Sequence, residues 1–458
     1  MNNKKEEINR TSSFRKKNKL SHHHHMRIRW KEFYTSDNIT PAKDATLVEK
    51  SIIVGHVGMM LLSCGTGAWR VRAAMNTIAR SLNLTCSADI GLVSLEYTCV
   101  DLDGNSYTQA LSLPSTGVNT AKLNKMEAFV QEFDKNKGNW TIGQIHSRLD
   151  EISKMKSQFK PWQVGLAAGL ACGGFIFLLG GGLIEVICAF FGATVGNYTR
   201  RKMGDHHLTI LANTAVSVAV ACCIYFVSFY LLHIFMHISP RRLDGYIGAM
   251  LFVIPGFPFI TSGLDMSKLD MRSGLERMAY AIMIIFVATA VGWVVALCLG
   301  LHPQDFQSLM LDPLTLTILR LIASFCGVFG FSIMFNSIPK MAAIAGIIGA
   351  LANTIRLSLT DWTNVPPAAA AFLGAFIAGM LASIVRQKIG YPRIAITVPS
   401  IVIMVPGLYM YRAMFNFGLV SLNAGALWTV KALMIVLCLP LGLITARILT
   451  DKKWRHAG

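Results

Sequence analysis

From position 161 to 450 the apolar residues come in long runs divided by short polar or glycine-rich breaks. From 44 to 160 they recur instead at helical and strand spacing among ordinary charged residues. In a bilayer every backbone amide must be satisfied within the protein, so the long runs predict spanning helices. They lie at about 162–183, 185–199, 207–237, 243–264, 277–300, 315–336, 340–356, 366–385, 393–411 and 425–448. Two of them, 185–199 and 340–356, are short for crossing ~30 Å of hydrocarbon at ~1.5 Å per residue. Upstream, 47–82 predicts two helices, or one broken near Cys64-Gly65-Thr66-Gly67. Strands are expected at 92–100 and 106–113 around the turn Asp101-Leu102-Asp103-Gly104, and amphipathic helices at 119–137 and 141–155.

The membrane runs repeat themselves. The short spans end alike, as Asn197-x-x-Arg200 and Asn353-x-x-Arg356. Two spans later each half carries a proline-glycine pair, Pro255-Gly256 and Pro406-Gly407, with an arginine thirteen residues before the proline, at Arg242 and Arg393. Five spans per repeat is an odd number, so two copies in series cross the membrane in opposite senses, which is a transporter's architecture. Proline removes a backbone donor and glycine loosens a helix, so each pair should break its span near mid-membrane. The fold class is therefore a mainly α-helical polytopic membrane protein of about ten spans in two inverted five-helix repeats, preceded by a soluble α+β domain. The expected parts are a basic disordered tail (1–43), the α+β domain (44–160) and membrane halves at 161–302 and 315–450.

Composition supports the membrane reading: 53% of residues are hydrophobic and 15% charged, against ~25% charged in soluble domains. The net charge of +18 suggests nucleic acid until its distribution is considered. Most of the excess sits in the tail and in short loops beside apolar runs, where membrane proteins keep Lys and Arg, so no nucleic-acid partner is expected. Counted on alternate sides, seventeen basic residues from Lys154 to Arg455 face four, Arg241, Arg242, Arg356 and Arg412. The positive-inside bias predicts cytoplasmic termini. The first 31 residues carry no apolar stretch that would read as a signal peptide. The tract His22–His25 receives no function. The ten cysteines form no Cys-x-x-Cys pair and read as reduced, buried thiols.

The stretch Leu61-Leu62-Ser63-Cys64-Gly65-Thr66-Gly67-Ala68-Trp69-Arg70-Val71 with Ile78-Ala79-Arg80-Ser81-Leu82 resembles the opening of the cytoplasmic domain of the threonine/serine exporter family. Val253-Ile254-Pro255-Gly256-Phe257-Pro258 with Thr261 and Asp265 resembles the signature of that family's first membrane half. Phe335-Asn336 with Pro339, then Val405-Pro406-Gly407 with Tyr411-Arg412, resembles that of the second. The resemblance covers about 47–448 and is to the fused form, with both halves on one chain. It implies ten spans in the inner membrane and export of threonine and serine driven by the proton-motive force. Similar two-subunit relatives export a dicarboxylate, so a succinate-like substrate is the alternative. Relatives carry acidic residues where this chain has Gly67 and Arg72.

Candidate pathway residues follow from chemistry. Asp265 could carry a coupling proton or hold a substrate ammonium, or be a solvated loop-end carboxylate. Thr261 offers a hydroxyl or bonds its own backbone. Arg412, beside Tyr411, could grip a carboxylate or snorkel at the interface, and Arg200 and Arg356 carry the same two readings. Asn336 and Lys340 flank Pro339 where a short span begins. Glu185 between the first two spans suits proton coupling if buried, and Lys431 in the last span must pair or snorkel. His233 and His237 share a helix face, but no His-Glu-x-x-His frame accompanies them. No metal or cofactor is expected. There is no Gly-x-x-x-x-Gly-Lys-[Ser/Thr] for an ATP-driven pump and no Gly-x-Ser-x-Gly for a hydrolase, so no enzyme is expected; an intramembrane hydrolase or a channel is the lesser alternative. Expected partners are a small-molecule substrate, protons and the bilayer. A homo-oligomer is left open.

Overall fold

A computed structural model describes residue 30 and residues 40–206, 208–236, 245–301, 306 and 311–455. The N-terminal region consists of α1 (Leu47–Ser63), α2 (Ala68–Ser81), β1 (Thr85–Ile90), β2 (Ser94–Val100), β3 (Ser106–Ser112), α3 (Thr120–Asn136) and α4 (Ile142–Lys154). Helix α1 is its core, buried from Ser51 to Leu62. It starts on a capping box in which Thr46 Oγ1 accepts from Glu49 N and the Glu49 carboxylate accepts from Thr46 N. The sheet runs β1-β2-β3, antiparallel throughout, and Leu95, Tyr97 and Cys99 alternate inward onto α1. Tyr97 fixes the contact by donating to Ser51 O at 2.9 Å. In the β2–β3 turn, Asp101 Oδ1 accepts from Asp103 N and Asn105 N, an Asx-type closure.

Inside this region His56 and His146 meet Nδ1 to Nδ1 at 3.1 Å, with Trp30 stacked on His56 at 4.1 Å. Burial pushes both imidazoles down from 6.5, His56 to about 3 and His146 to about 4. Folding keeps them neutral while the unfolded chain takes protons below about 6.5, so stability is full above that value and falls as pH drops toward 4. At about 1.4 kcal/mol per pH unit and group, the loss by pH 4 should reach several kcal/mol. Denaturant titrations at pH 7 and 4.5 check this. His56→Gln should flatten the slope, and a slope unchanged by that substitution would reject it.

The membrane region begins with α5 (Pro161–Leu178), α6 (Leu183–Asp205) and α7 (Ile210–Met236). A bent pair follows, α8 (Tyr246–Met250, extended by a 3-10 turn to Val253) and α9 (Gly256–Met266), then α10 (Met271–Leu299). After it come α11 (Pro313–Met334), α12 (Pro339–Thr363), α13 (Pro367–Ile389), the bent pair α14 (Arg393–Val402) and α15 (Gly407–Gly418), and α16 (Leu422–Thr450). Among the described residues seven helices are long and apolar enough to cross a membrane, or nine if each bent pair is one span. The tenth predicted span is α6, which is not apolar enough to join that count because its last turns carry Arg200, Arg201, Lys202 and Asp205.

Two sequence readings need correction. The spans expected to be short at 185–199 and 340–356 are helices of 23 and 25 residues. Their polar residues looked like span ends but are interior: Asn197 and Asn353 are buried. The regions read as strands at 92–100 and 106–113 are β2 and β3, and β1 adds a third, unexpected strand. Most of the tail 1–43, the tract His22–His25, Arg241, Arg242 and His237 lie outside the described residues.

Helices α5 and α11 cross antiparallel through small residues. A Cβ on Gly174 would lie 2.6 Å from Ala323 O, and one on Gly330 would collide with Ala167 O. The pairing is reciprocal: adding 156 to Ala167 and Gly174 gives Ala323 and Gly330. The helices they belong to share that offset, Leu178 and Leu183 matching Met334 and Pro339. The breaks are reciprocal too, at an offset of 151. A Cβ on Gly256 would meet Val402 and Val405 at 3.3 Å, and one on Gly407 would meet Leu251 at 2.9 Å and Ile254 at 3.2 Å.

Candidate functional site

Both Pro-Gly pairs break their helix in one way. Each bent pair turns by 50°. Pro255 has φ −81° and ψ 60°, and Pro406 has φ −81° and ψ 56°. Neither proline can donate to the preceding turn, and the next amide folds back locally, Gly256 N to Ile254 O at 2.8 Å and Gly407 N to Val405 O at 2.9 Å. The breaks lie against each other through apolar side chains, so the space between them is filled.

A cavity of about 420 Å³ opens instead on the domain side of the first break. Its walls are the backbone from Phe252 to Pro258, the α6 residues Asn197, Arg200 and Arg201, Arg277 and Tyr280 of α10, and Phe331 and Phe335 of α11. Gly65, Leu92 and Gly117 of the N-terminal region also line it. Arg201 donates to Met334 O at 2.7 Å, and Arg200 Nη1 lies 3.5 Å from Phe252 O. Asn197 is buried, and its Oδ1 has no hydrogen-bond partner among the described residues. Three guanidiniums against one lining carboxylate, Asp205, favour an anionic group, and planar forks suit a carboxylate.

Asp265 lies behind this wall and is fully buried. Its Oδ2 is 3.1 Å from Arg277 Nε and accepts from Ser273 Oγ at 2.9 Å, while Oδ1 accepts from Ala68 N at 3.0 Å. Gly67, the N-cap of α2, has no side chain to cap that helix, so Asp265 supplies the oxygen from another element. Arg277 Nη2 then donates to Thr66 O at 2.7 Å. The Cys64–Gly67 turn is thus held at both ends by one ion pair. Further docking comes from Arg72 paired with Asp270, Arg272 paired with Asp89, and Leu92 N donating to Glu276 Oε2 at 2.6 Å. Arg447 of α16 lies against the edge-to-face pair of Trp69 and Trp454, 4.1 and 3.8 Å from their centroids.

Of the residues named from sequence, Pro255, Gly256, Asn197 and Arg200 come together at the cavity. Thr261 donates to Phe257 O at 3.0 Å, its own helix. Asn336, at φ 58°, docks the domain: Oδ1 accepts from Gln158 N at 3.0 Å, and Nδ2 donates to Asn119 Oδ1 at 3.0 Å. Lys340 is exposed. Pro406, Gly407, Asn353, Arg356, Tyr411 and Arg412 belong to the other side of the breaks. There Tyr411 and Tyr246 share a 2.7 Å hydroxyl contact, and Arg412 and Lys431 each lie 4.7 Å from the Trp428 ring. Glu185 is buried at the start of α6, its Oε2 without a hydrogen-bond partner. Sequence reasoning missed Arg201, Arg277 and Tyr280 as cavity residues. Arg277 was counted among basic loop residues, although it stands inside an apolar helix twelve positions after a carboxylate.

A bundle of spanning helices, broken twice and holding a polar cavity at one break, defines a multi-pass membrane transporter. The chain belongs to the threonine/serine exporter family: one family model for threonine/serine exporters matches residues 52–300, and a second, "Threonine/Serine exporter, ThrE", matches 320–449. It is similar to the probable succinate transporter subunit YjjP of Escherichia coli K12, at 27% identity over 248 residues, 52% of this chain and 90% of that one. It is also similar to a probable threonine/serine exporter of Mycobacterium tuberculosis H37Rv, at 22% identity over 409 residues, 86% of this chain and 74% of that one. No solved structure matches the chain.

Proposed function

We propose that this protein is a secondary transporter exporting small amino acids such as threonine and serine, dependent on the proton-motive force. The observation that carries the reading is the cavity at the first break, whose wall includes Arg200, Arg201 and Asn197. Arginine forks suit a substrate carboxylate, and an unpaired amide oxygen suits an ammonium. The similarity to the Escherichia coli succinate transporter subunit and the cationic wall favour a dicarboxylate as the second reading. Glu185 is the proposed proton carrier, because Asp265 is already engaged by Arg277, Ser273 and Ala68.

The architecture proposed for it has ten spans in two inverted five-helix repeats, 161–302 and 315–450, after a cytoplasmic domain at 44–160. The reciprocal contacts, the equal breaks and the position of α6 beside α5 support this. The basic bias toward the domain side supports an inner-membrane protein with cytoplasmic termini. Inside-out vesicles should take up labelled threonine and serine, and a pH gradient should raise the rate. Uptake of succinate alone would select the second reading, and no counterflow of any of the three would reject a carrier.

A further inference from the structure

We propose that Asn353 and Arg356 form the release-side carboxylate site, the counterpart of Asn197 and Arg200, and that this conformation holds it latched shut. The inference rests on the carrier reading and adds the residues of a second site.

The offsets of the two halves match the wall of the open cavity to positions on the far side of the breaks. Asn197 and Arg200 correspond to Asn353 and Arg356 at 156; Pro258, Arg277 and Tyr280 correspond to Tyr409, Trp428 and Lys431 at 151. On the domain side these positions surround about 420 Å³ of space. On the far side the same positions are engaged with each other. Arg356 Nε donates to Asn353 Oδ1 at 2.9 Å, and Asn353 Nδ2 donates to Ser324 Oγ at 2.9 Å. Tyr409 packs on Trp428 with ring centroids 5.1 Å apart.

Two contacts separate the halves. The position corresponding to Ser324 is Ala168, which has no hydroxyl to accept from the amide nitrogen of Asn197. Arg200 reaches toward Phe252 O, and Asn197 Oδ1 has no hydrogen-bond partner among the described residues, while Asn353 has both ends of its amide engaged. An amide and a guanidinium that satisfy each other when no ligand is present make a closed state that costs little to hold. A carboxylate arriving from the breaks would replace Asn353 on Arg356 through a charge-assisted bond, which is stronger than the neutral acceptor it displaces. Arg412 and Lys431, both on the Trp428 ring, place two more cations beside that path.

Two arms test this on the full-length protein, with L-threonine as the probe. In detergent, threonine should shift the melting of Arg356→Gln at concentrations within about twofold of wild type, whereas Arg200→Gln should lose the shift. In vesicles Arg356→Gln should transport at least about tenfold more slowly with KM little changed, the signature of a step after binding. Loss of the threonine shift in Arg356→Gln, or transport at the wild-type rate, would overturn the assignment. The second arm needs no substrate. In a Leu408→Cys chain, measured against the wild-type labelling baseline, Ser324→Ala should raise far-side labelling by an impermeant maleimide about fivefold, the worth of one hydrogen bond. Unchanged labelling rejects the latch even if wild type moves none of the three solutes, and that last result alone would reject the carrier reading instead.

Discussion

Asp265→Ala should cost about 3–5 kcal/mol of stability, the cost of leaving a buried charge without its partner. The carboxylate is fully buried, Arg277 is 2% exposed, and the pair is the only acceptor shown for Ala68 N and Ser273 Oγ among the described residues. Its loss leaves a guanidinium without its counter-charge and an amide and a hydroxyl without their acceptor in one place. Asp265→Asn keeps acceptor geometry and removes the charge, so its melting temperature should lie between those of Ala and wild type. Asp265→Ala combined with Arg277→Met should recover part of the deficit, because two apolar groups need no pairing. Melting in detergent, followed by tryptophan fluorescence, reads all three. A cost for Asp265→Ala no larger than that of Asp103→Ala, at the exposed β2–β3 turn, would show that the pair does not hold the domain.

Transport itself should be lost most completely when a break is repaired. Ala-Leu in place of Pro255-Gly256 or of Pro406-Gly407 restores the backbone donor and a helix-forming side chain. It also drives a leucine into neighbours that stand 3.3 Å from the Cβ position at 256 and 2.9 Å at 407, an overpacking of about 1–3 kcal/mol. Vesicle uptake should fall at least about a hundredfold for either variant with protein still present in the membrane. Gly256→Ala should be milder than Gly407→Ala, since the second site is tighter. Wild-type uptake by both Ala-Leu variants would remove the breaks from the mechanism.

Much of this was legible in the chain. The Pro-Gly pairs, the two Asn-x-x-Arg ends and the order of apolar runs located the breaks and four of the cavity residues, because a missing donor and a polar residue inside an apolar run are local signals. Strand β1 was missed because its inward positions, Cys86, Ala88 and Ile90, carry only one large apolar side chain, so its alternation is a weak signal. Asp265 read as a loop-end carboxylate because its partners are not local: Ala68 is 197 positions away, and Arg277 lies across the turn between α9 and α10. Helices α6 and α12 looked short because their arginines read as span ends. Arg201 ends on Met334 O of another helix and Arg356 on Asn353 of its own, and both helices continue past them, to Asp205 and Thr363.

The crossing of α5 and α11 has a mechanical consequence. Where Leu and Ile interlock, one helix can move past another only by jumping between discrete seats, as tight packing demands. Here Ala167, Gly174, Ala323 and Gly330 let backbone meet backbone with no side chain projecting across. Such a contact should be stiff against separation and smooth under rotation, a plain bearing on which the helices around it could turn without unpacking.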